Sequence, residues 1–413
     1  MSAHVASIVG LVLMFAVATA LPINMGAIAF VFAFILGAVF VDMNAAQVLA
    51  GFPGDLFVTL VGITYLFAIA QKNGTVDLLV HYGERAVGGR AEALPWVMFA
   101  VTGLLTSIGA VSPGAVAIIA PIALRFADRY GINPLLMGVM VVHGAQGGGF
   151  SPISIFGGIT NGVVERAGLE GGPMLLFLGS FVFNLAVAAG VYFAFRRRGI
   201  ASVPRGPDAE LDAAASVPAL TTQRLVTLIG LLALAVGALA FDLNVGFVAM
   251  TVAVVLALLF PAAQKDAVDK AAWSTVLLIC GVITYVGVLQ KAGTVDWVGQ
   301  GAANLGSPLA AALLLCYVAG IVSAFASSTG ILGTIIPLAV PLLAAGQLNA
   351  AGVVAAIAIS TTIVDVSPFS TNGALVLANM QTDRDRYFRL FLLYAGAITA
   401  IGPLLAWIAF VLI

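Results

Sequence analysis

Charge is what this sequence has least of. Asp, Glu, Lys and Arg make up 8% of its 413 residues, whereas soluble domains carry about 25%. A chain this poor in charge has no surface to offer water, which excludes a soluble globular protein. Cysteine is nearly absent. Cys280 and Cys316 both lie in apolar runs, which argues against a disulfide framework and for two buried small hydrophobes. No Cys-rich or His-rich spacing of a metal cluster is present. The 17 Lys and Arg are dispersed, without the basic patch that nucleic acid requires, so no nucleic-acid partner is expected. No nucleophile–base pair or kinase constellation appears, so no enzymatic activity is expected. Gly147-Gly148-Gly149 looks like part of a phosphate loop, but no Lys-Ser/Thr follows and the surroundings are apolar. Met1-Ser2-Ala3-His4 lacks a positive n-region, so the first apolar run is expected to be a span rather than a cleaved leader. A net charge of −1 points to no class of partner.

What is present is apolar: 62% hydrophobic residues and a mean hydropathy of +1.13. That composition describes an all-α polytopic membrane protein, solvated by a lipid bilayer. Apolar runs cover Val5–Leu21, Ala27–Val41 and Leu56–Ala70. Thr75–Arg90 mixes leucines with His81, Glu84 and Arg85 and reads as an interfacial amphipathic helix. Residues 94–126 are apolar arms around Ser112-Pro113-Gly114, a re-entrant hairpin. Residues 135–164 are an apolar helix broken near Gly149 and Ser151-Pro152, and Met174–Phe195 is a further span. Residues 196–224 are the only long polar stretch and read as an exposed linker.

The pattern then returns. Spans occupy Leu225–Phe241, Val245–Phe260 and Val276–Leu289. A second hairpin covers 309–345 around Ser327-Ser328-Thr329-Gly330. A second broken helix covers 353–377 around Ser367-Pro368, and Leu390–Ile413 ends the chain. Gln71-Lys72-Asn73-Gly74-Thr75-Val76-Asp77 matches Gln290-Lys291-Ala292-Gly293-Thr294-Val295-Asp296, an offset of 219. Pro121 matches Pro337, and Ser151-Pro152 matches Ser367-Pro368, at an offset of 216. Residues 1–195 and 225–413 are therefore two copies of one repeat. Five crossings per copy and none per hairpin make the copies inverted. With both termini outside and the linker cytoplasmic, every Lys and Arg except Arg166 and Lys291 falls inside, as the positive-inside rule requires. The first hairpin then opens to the cytoplasm and the second to the outside.

Unpaired backbone in lipid costs several kcal/mol per group, so four breaks at membrane depth line a protein-enclosed site. The arm after each tip begins with free N–H groups and attracts anions. The arm before it ends in free carbonyls, which suit a small cation. Helix capping by Ser and Thr is the rival reading for one tip; two tips, each followed by a broken helix, favour a site. His143 is the nearest candidate for a cationic residue at the cavity, and a packed histidine bonded to a backbone carbonyl is the preferred reading. Asp365 is the lone carboxylate in its run. It is paired, protonated, bound to a cation, or a cap of the broken helix.

The tips, the Ser-Pro breaks and the run Ser151-Pro152-Ile153-Ser154-Ile155-Phe156-Gly157-Gly158-Ile159-Thr160-Asn161 resemble the divalent anion/sodium symporters of the ion transporter superfamily, and within it the MatC-type dicarboxylate carriers. The resemblance extends over nearly the whole chain. It implies a secondary importer of a small carboxylate, malonate- or C4-dicarboxylate-like. Coupling would be to Na⁺ or H⁺, by elevator-type alternating access, in a homodimer of a bacterial inner (plasma) membrane. In that family the tip Ser lies ten residues before a proline. Counting back from Pro337 gives Ser327, Ser328 and Thr329; from Pro121 it gives Val111, Ser112 and Pro113. By resemblance, Ser112, Ser151, Ser154, Asn161, Ser328, Thr329, Ser367, Ser370, Thr371 and Asn372 face the substrate. Ser107, Val111, Ser112, Gly149, Ser323, Ser327, Ser328, Asp365 and Val366 surround the cations. The first tip departs at Val111 and Pro113. Both tips carry Ser where the family has Asn, which points to a carboxylate of another size. The alternative is a cation/proton antiporter of the same superfamily with Asp365 as carrier.

Overall fold

A computed structural model describes residues 2–86, 91–196, 219–241, 243–295, 297–298, 307–325, 327–344, 346–380 and 384–412. The helices of the first copy are α1 (Ala3–Ala20), α2 (Met25–Phe40), α3 (Ala45–Leu49), α4 (Gly54–Lys72), α5 (Thr75–Ala86), α6 (Leu94–Ser107), α7 (Ser112–Tyr130), α8 (Pro134–Gly148), α9 (Ile155–Arg166) and α10 (Pro173–Phe195). Those of the second are α11 (Thr222–Ala240), α12 (Val245–Leu259), α13 (Pro261–Gln264), α14 (Trp273–Lys291), α15 (Pro308–Ser323), α16 (Ser328–Ala344), α17 (Ala350–Ile363), α18 (Thr371–Ala378) and α19 (Arg384–Trp407). Residues 197–218 of the expected linker, 87–90 of the amphipathic stretch, and Ala326 and Ala345 of the second hairpin lie outside the described residues.

The two copies start their helices with the same chemistry. Asn24 and Asn244 cap α2 and α12, Asn133 and Asn349 cap α8 and α17, and Ser154 and Ser370 cap α9 and α18. In each case the side-chain oxygen accepts a first-turn N–H that the helix itself leaves unpaired. Gly74 and Gly293, both with positive φ, follow α4 and α14.

The copies are interleaved. The N-terminal copy's α2 packs on α14 of the other, and α4 packs on α12. Glycines permit both crossings. A methyl on Gly26 would overlap the Leu277 carbonyl, and one on Gly281 would overlap Gly26. A methyl on Gly62 would stand 2.6 Å from the Gly246 carbonyl oxygen, and one on Gly246 would stand 2.7 Å from the Thr59 backbone. Gly26 matches Gly246 and Gly62 matches Gly281 in the repeat, so one contact is made twice. Helices α4 and α14 are the most enclosed long apolar helices, while α10, α11 and α19 turn apolar side chains outward. Val39, Phe241, Leu258 and Leu393 are each about 70% exposed or more, a lipid-facing rather than water-facing surface.

Around α4 and α14 sits a scaffold of α1, α2, α11 and α12. The hairpins and broken helices form a second body. There α6 and α7 pack on α8, α15 and α16 on α17, α7 on α18, and α16 on α9. This second body meets the scaffold chiefly where α16 packs on α14 and α9 on α4.

Three local expectations need correction. Ser112-Pro113-Gly114 is not the gap of the first hairpin but the first turn of α7. Proline fits there because a first-turn N–H has no helical partner anyway. The gap is residues 108–111, where Gly109 adopts a φ of 111°. Likewise Ser328-Thr329-Gly330 opens α16, and Ala324, Phe325 and Ser327 lie outside any helix before it. The last helix begins at Arg384 rather than Leu390.

Candidate functional site

The two broken helices are built bond for bond alike. The Ser154 hydroxyl donates to the carbonyls of Gly149 and Ser151 and accepts the Gly157 N–H. The Ser370 hydroxyl donates to the carbonyls of Asp365 (2.5 Å) and Ser367 (2.8 Å) and accepts the Gly373 N–H (3.3 Å). Gly157 N–H donates to the Gly149 carbonyl at 3.2 Å, and Gly373 N–H to that of Asp365 at 3.1 Å. A methyl on either glycine would overlap the carbonyl of Ser151 or Ser367. These bonds satisfy the backbone that each break exposes, which lipid would leave unpaired. They also engage both serines fully. Ser154 and Ser370 are buried caps of the fold, and their hydroxyls turn to backbone rather than to a ligand.

The copies differ in what they hang on this frame. Gly149, Ile155 and Phe156 of the first copy stand where the second has Asp365, Thr371 and Asn372. Asp365 is buried. Its Oδ1 accepts the Ser328 hydroxyl, joining the break to the first turn of α16. Ser323, at the end of α15, lies 2.7 Å from Ser328 Oγ, and the Thr361 carbonyl lies 3.4 Å from it. A carboxylate, two hydroxyls and a carbonyl thus converge in a buried volume where no cationic side chain approaches among the described residues. The cap reading of Asp365 fails, because Ser370 is the cap.

At the first tip the partners are different. Asn372 donates from Nδ2 to Ser112 Oγ at 2.8 Å, so the first turns of α7 and α18 meet. Asn372 Oδ1 is buried without a hydrogen bond. Ser107 donates to the Gly103 carbonyl at 2.7 Å, within its own helix.

Both tips open on one cavity of about 610 Å³. Val111 and Pro113 line it from the first tip, Ser327 and Thr329 from the second, and Thr371 from α18. The scaffold supplies the opposite wall through Asn24, Ser274 and Thr275, with Phe15, Phe325 and Phe369 as its aromatic members. Asn24 donates to the Ser274 hydroxyl and carbonyl, each at 2.9 Å, clasping α2 to α14. No charged side chain is among the described lining residues.

Of the sequence-derived residues, Val111, Ser327, Thr329 and Thr371 therefore reach the cavity, while Ser112, Ser323, Ser328, Asp365 and Asn372 lie directly behind it. Ser151 and Ser367 are buried within the breaks, each accepting a nearby backbone N–H. Gly149 contributes a carbonyl that is already bonded, and Val366 is fully buried with its side chain in the core. Asn161 is half-buried on α9, outside the cavity wall. Asn24, Ser274, Phe325 and Phe369 were missed. Asn24 alone carried a signal, as the only amide in the Pro22-Ile23-Asn24 turn.

His143 bonds to side chains rather than to a carbonyl. Its ring nitrogens lie 2.9 Å from Asn184 Oδ1 and 2.6 Å from Tyr394 OH, tying α8 to α10 and α19. Cys280 and Cys316 are free and buried.

Comparison with known proteins gives a consistent picture. Residues 1–149 match a family model described as the N-terminus of the dicarboxylate carrier protein MatC. An uncharacterized transporter of Mycobacterium tuberculosis, found in strains CDC 1551 and H37Rv, is 24% identical over 309 residues, covering 72% of this chain and 70% of that one. The crystal structure of the YdaH transporter of Alcanivorax borkumensis superposes with a TM-score of 0.63 at 16% identity, covering 93% of this chain and 96% of the other. The chain is thus an integral membrane protein with a transporter fold, and its N-terminal 149 residues are similar to the MatC dicarboxylate carriers.

Proposed function

We propose that the protein is a secondary active importer of a small carboxylate, coupled to Na⁺. The observation that carries this reading is the single uncharged cavity on which both tips and α18 converge. An anion in it meets the N–H groups of two helix starts and the hydroxyls of Thr329 and Thr371, with no lysine or arginine among the described lining residues. The similarity of residues 1–149 to dicarboxylate carriers favours carboxylates among anions, with malonate and succinate as the first candidates.

Na⁺ is assigned to Asp365, Ser323, Ser328 and the Thr361 carbonyl. All are hard oxygen donors of the kind that suit a small hard cation. Ser328 sits between Ser327 and Thr329, which line the cavity, so cation binding stiffens the tip that receives the substrate. The division into a scaffold and a body of hairpins supports elevator-type movement of that body. Lys72, which bonds the Lys265 carbonyl, and Arg224, which bonds the Asn73 carbonyl, mark one end of the molecule. Arg166 pairs with Asp55 at the other. With the positive-inside rule, the first end is cytoplasmic, the termini are outside, and the cavity beside Ser274 faces inward.

A cation/proton antiporter with Asp365 as carrier is the second reading, favoured by the burial of that carboxylate. Uptake of radiolabelled malonate or succinate into proteoliposomes, with and without Na⁺ at constant pH and membrane potential, tests the first. Na⁺-driven proton flux without any organic anion would establish the second. Uptake indifferent to Na⁺ would remove the coupling assignment.

A further inference from the structure

We infer that the cavity is built for a carboxylate carrying a planar aromatic body, its carboxylate at the second tip and its ring against Phe325 and Phe369. This rests on the carboxylate-import reading above. Phe325 lies in the gap before α16 and Phe369 in the break before α18. Their rings stack at 5.7 Å between centroids and 26° between planes, and Phe388 of α19 meets Phe369 edge-on at 6.0 Å. Phe325 and Phe369 line the cavity and are 56% and 53% exposed. Two large apolar faces are thus held open beside Ser327, Thr329 and Thr371, although burying them would be favourable.

The duplicated fold supplies its own control. The positions matching Phe325 and Phe369 in the first copy are Gly109 and Ile153. Ile153 is buried, and Gly109 turns the chain tightly against Ile63. The break and the tip therefore form without any ring, so the aromatic pair is not a requirement of the frame.

The anion-binding poles are unequal in the same direction. Pro113 has no N–H, so the first turn of α7 offers only those of Ser112 and Gly114. The first turn of α16 offers those of Ser328, Thr329 and Gly330. The stronger pole is the one that follows Phe325 by three residues. A single carboxylate seated there lays its body along the stacked rings. At about 610 Å³ the cavity also matches sites for drug-sized ligands, about 300–1,000 Å³, far more than the three carbons of malonate need.

The test measures binding of benzoate, cyclohexanecarboxylate, malonate and succinate to the full-length protein in nanodiscs by calorimetry at fixed Na⁺. Cyclohexanecarboxylate matches benzoate in carbon count but is not planar. Benzoate should bind roughly fivefold or more tightly than cyclohexanecarboxylate, the increment expected of ring stacking. Phe325→Leu and Phe369→Leu, which keep apolar bulk, should erase that preference, weakening benzoate more than malonate. Equal binding of the two ring acids, or a preference that survives both variants, overturns the inference while malonate or succinate binding keeps the carboxylate reading. Equal weakening of benzoate and malonate in the variants also overturns it, marking the rings as a gate. If none of the four acids binds, the carboxylate reading falls and the inference with it.

Discussion

Replacing Asp365 by Asn removes one charge and leaves an oxygen at the same reach. Ser328 donates to Asp365 Oδ1, and an amide oxygen in that place still accepts. The bonds that hold the break itself, from Gly373 N–H and Ser370 Oγ, end on the Asp365 main-chain carbonyl and are untouched. The loss of stability is then limited to the difference between a charged and a neutral hydrogen bond, about 1 kcal/mol. Cation binding has far more to lose. A unit charge pair at 4 Å with an effective dielectric of about 20 is worth ~4 kcal/mol. A third of that changes an equilibrium about tenfold. The assay is an Na⁺ titration of uptake in proteoliposomes at fixed pH and membrane potential, with thermal unfolding alongside. The half-saturating Na⁺ concentration should rise about tenfold or more, with little change in Tm and a modest pH dependence. An unchanged Na⁺ requirement with loss of pH-gradient-driven uptake and intact counterflow would reassign the carboxylate to a proton. A lower Tm with neither coupling effect would refute both roles.

Ser328→Ala removes the hydroxyl between Ser323 and Asp365, and Thr371→Val removes one that faces the cavity. The first should raise the half-saturating Na⁺ concentration severalfold, the second the half-saturating substrate concentration, as expected for hydrogen bonds to charged partners worth roughly 1.5–3 kcal/mol. Uptake titrations against each solute separate the two, and crossed effects would contradict the site assignment. Gly62→Ala places a methyl 2.6 Å from the Gly246 carbonyl oxygen and should lower the yield of folded protein in size-exclusion chromatography, whereas Gly190→Ala, with nothing within 4 Å, should not. His143→Phe loses two buried hydrogen bonds, to Asn184 and Tyr394, and should lower Tm without altering the Na⁺ dependence of uptake. A cysteine at Ala213 should react with impermeant thiol reagents only from the cytoplasmic side, since Cys280 and Cys316 are buried; labelling of intact cells would reverse the orientation.

The architecture was legible where one residue type acts alone. Uninterrupted apolar residues mark the spans because a bilayer tolerates little else, and the run Gln71–Asp77 exposes the duplication directly. The hairpin gaps were misread by a few residues, because Ser-Pro-Gly breaks a helix interior yet fits a first turn. At the site, oxygen-bearing residues were visible but their direction was not. Ser370 and Thr371 are neighbours, and only the fold decides that the first caps a helix while the second faces the cavity. The contact of Asn24 with Ser274 was out of reach, since it joins residues 250 apart in sequence. Phe325 and Phe369 had no mark among 25 phenylalanines.

The doubled glycine crossing has a consequence during synthesis. Helices α2 and α4 make their glycine crossings with α14 and α12 of the other copy, so neither copy holds the complement of that contact. From Gly62 to Gly246 the ribosome must add 184 residues, which takes roughly 10–40 s at cellular rates. Throughout that interval the small-residue faces of the first copy wait in the bilayer without a mate, exposed to pairing with an inverted neighbour. A chain cut within residues 197–218 and expressed as two pieces should therefore reassemble into a working carrier, while either piece alone should be cleared by membrane proteases. The order in which the halves are made then matters less than their being made together.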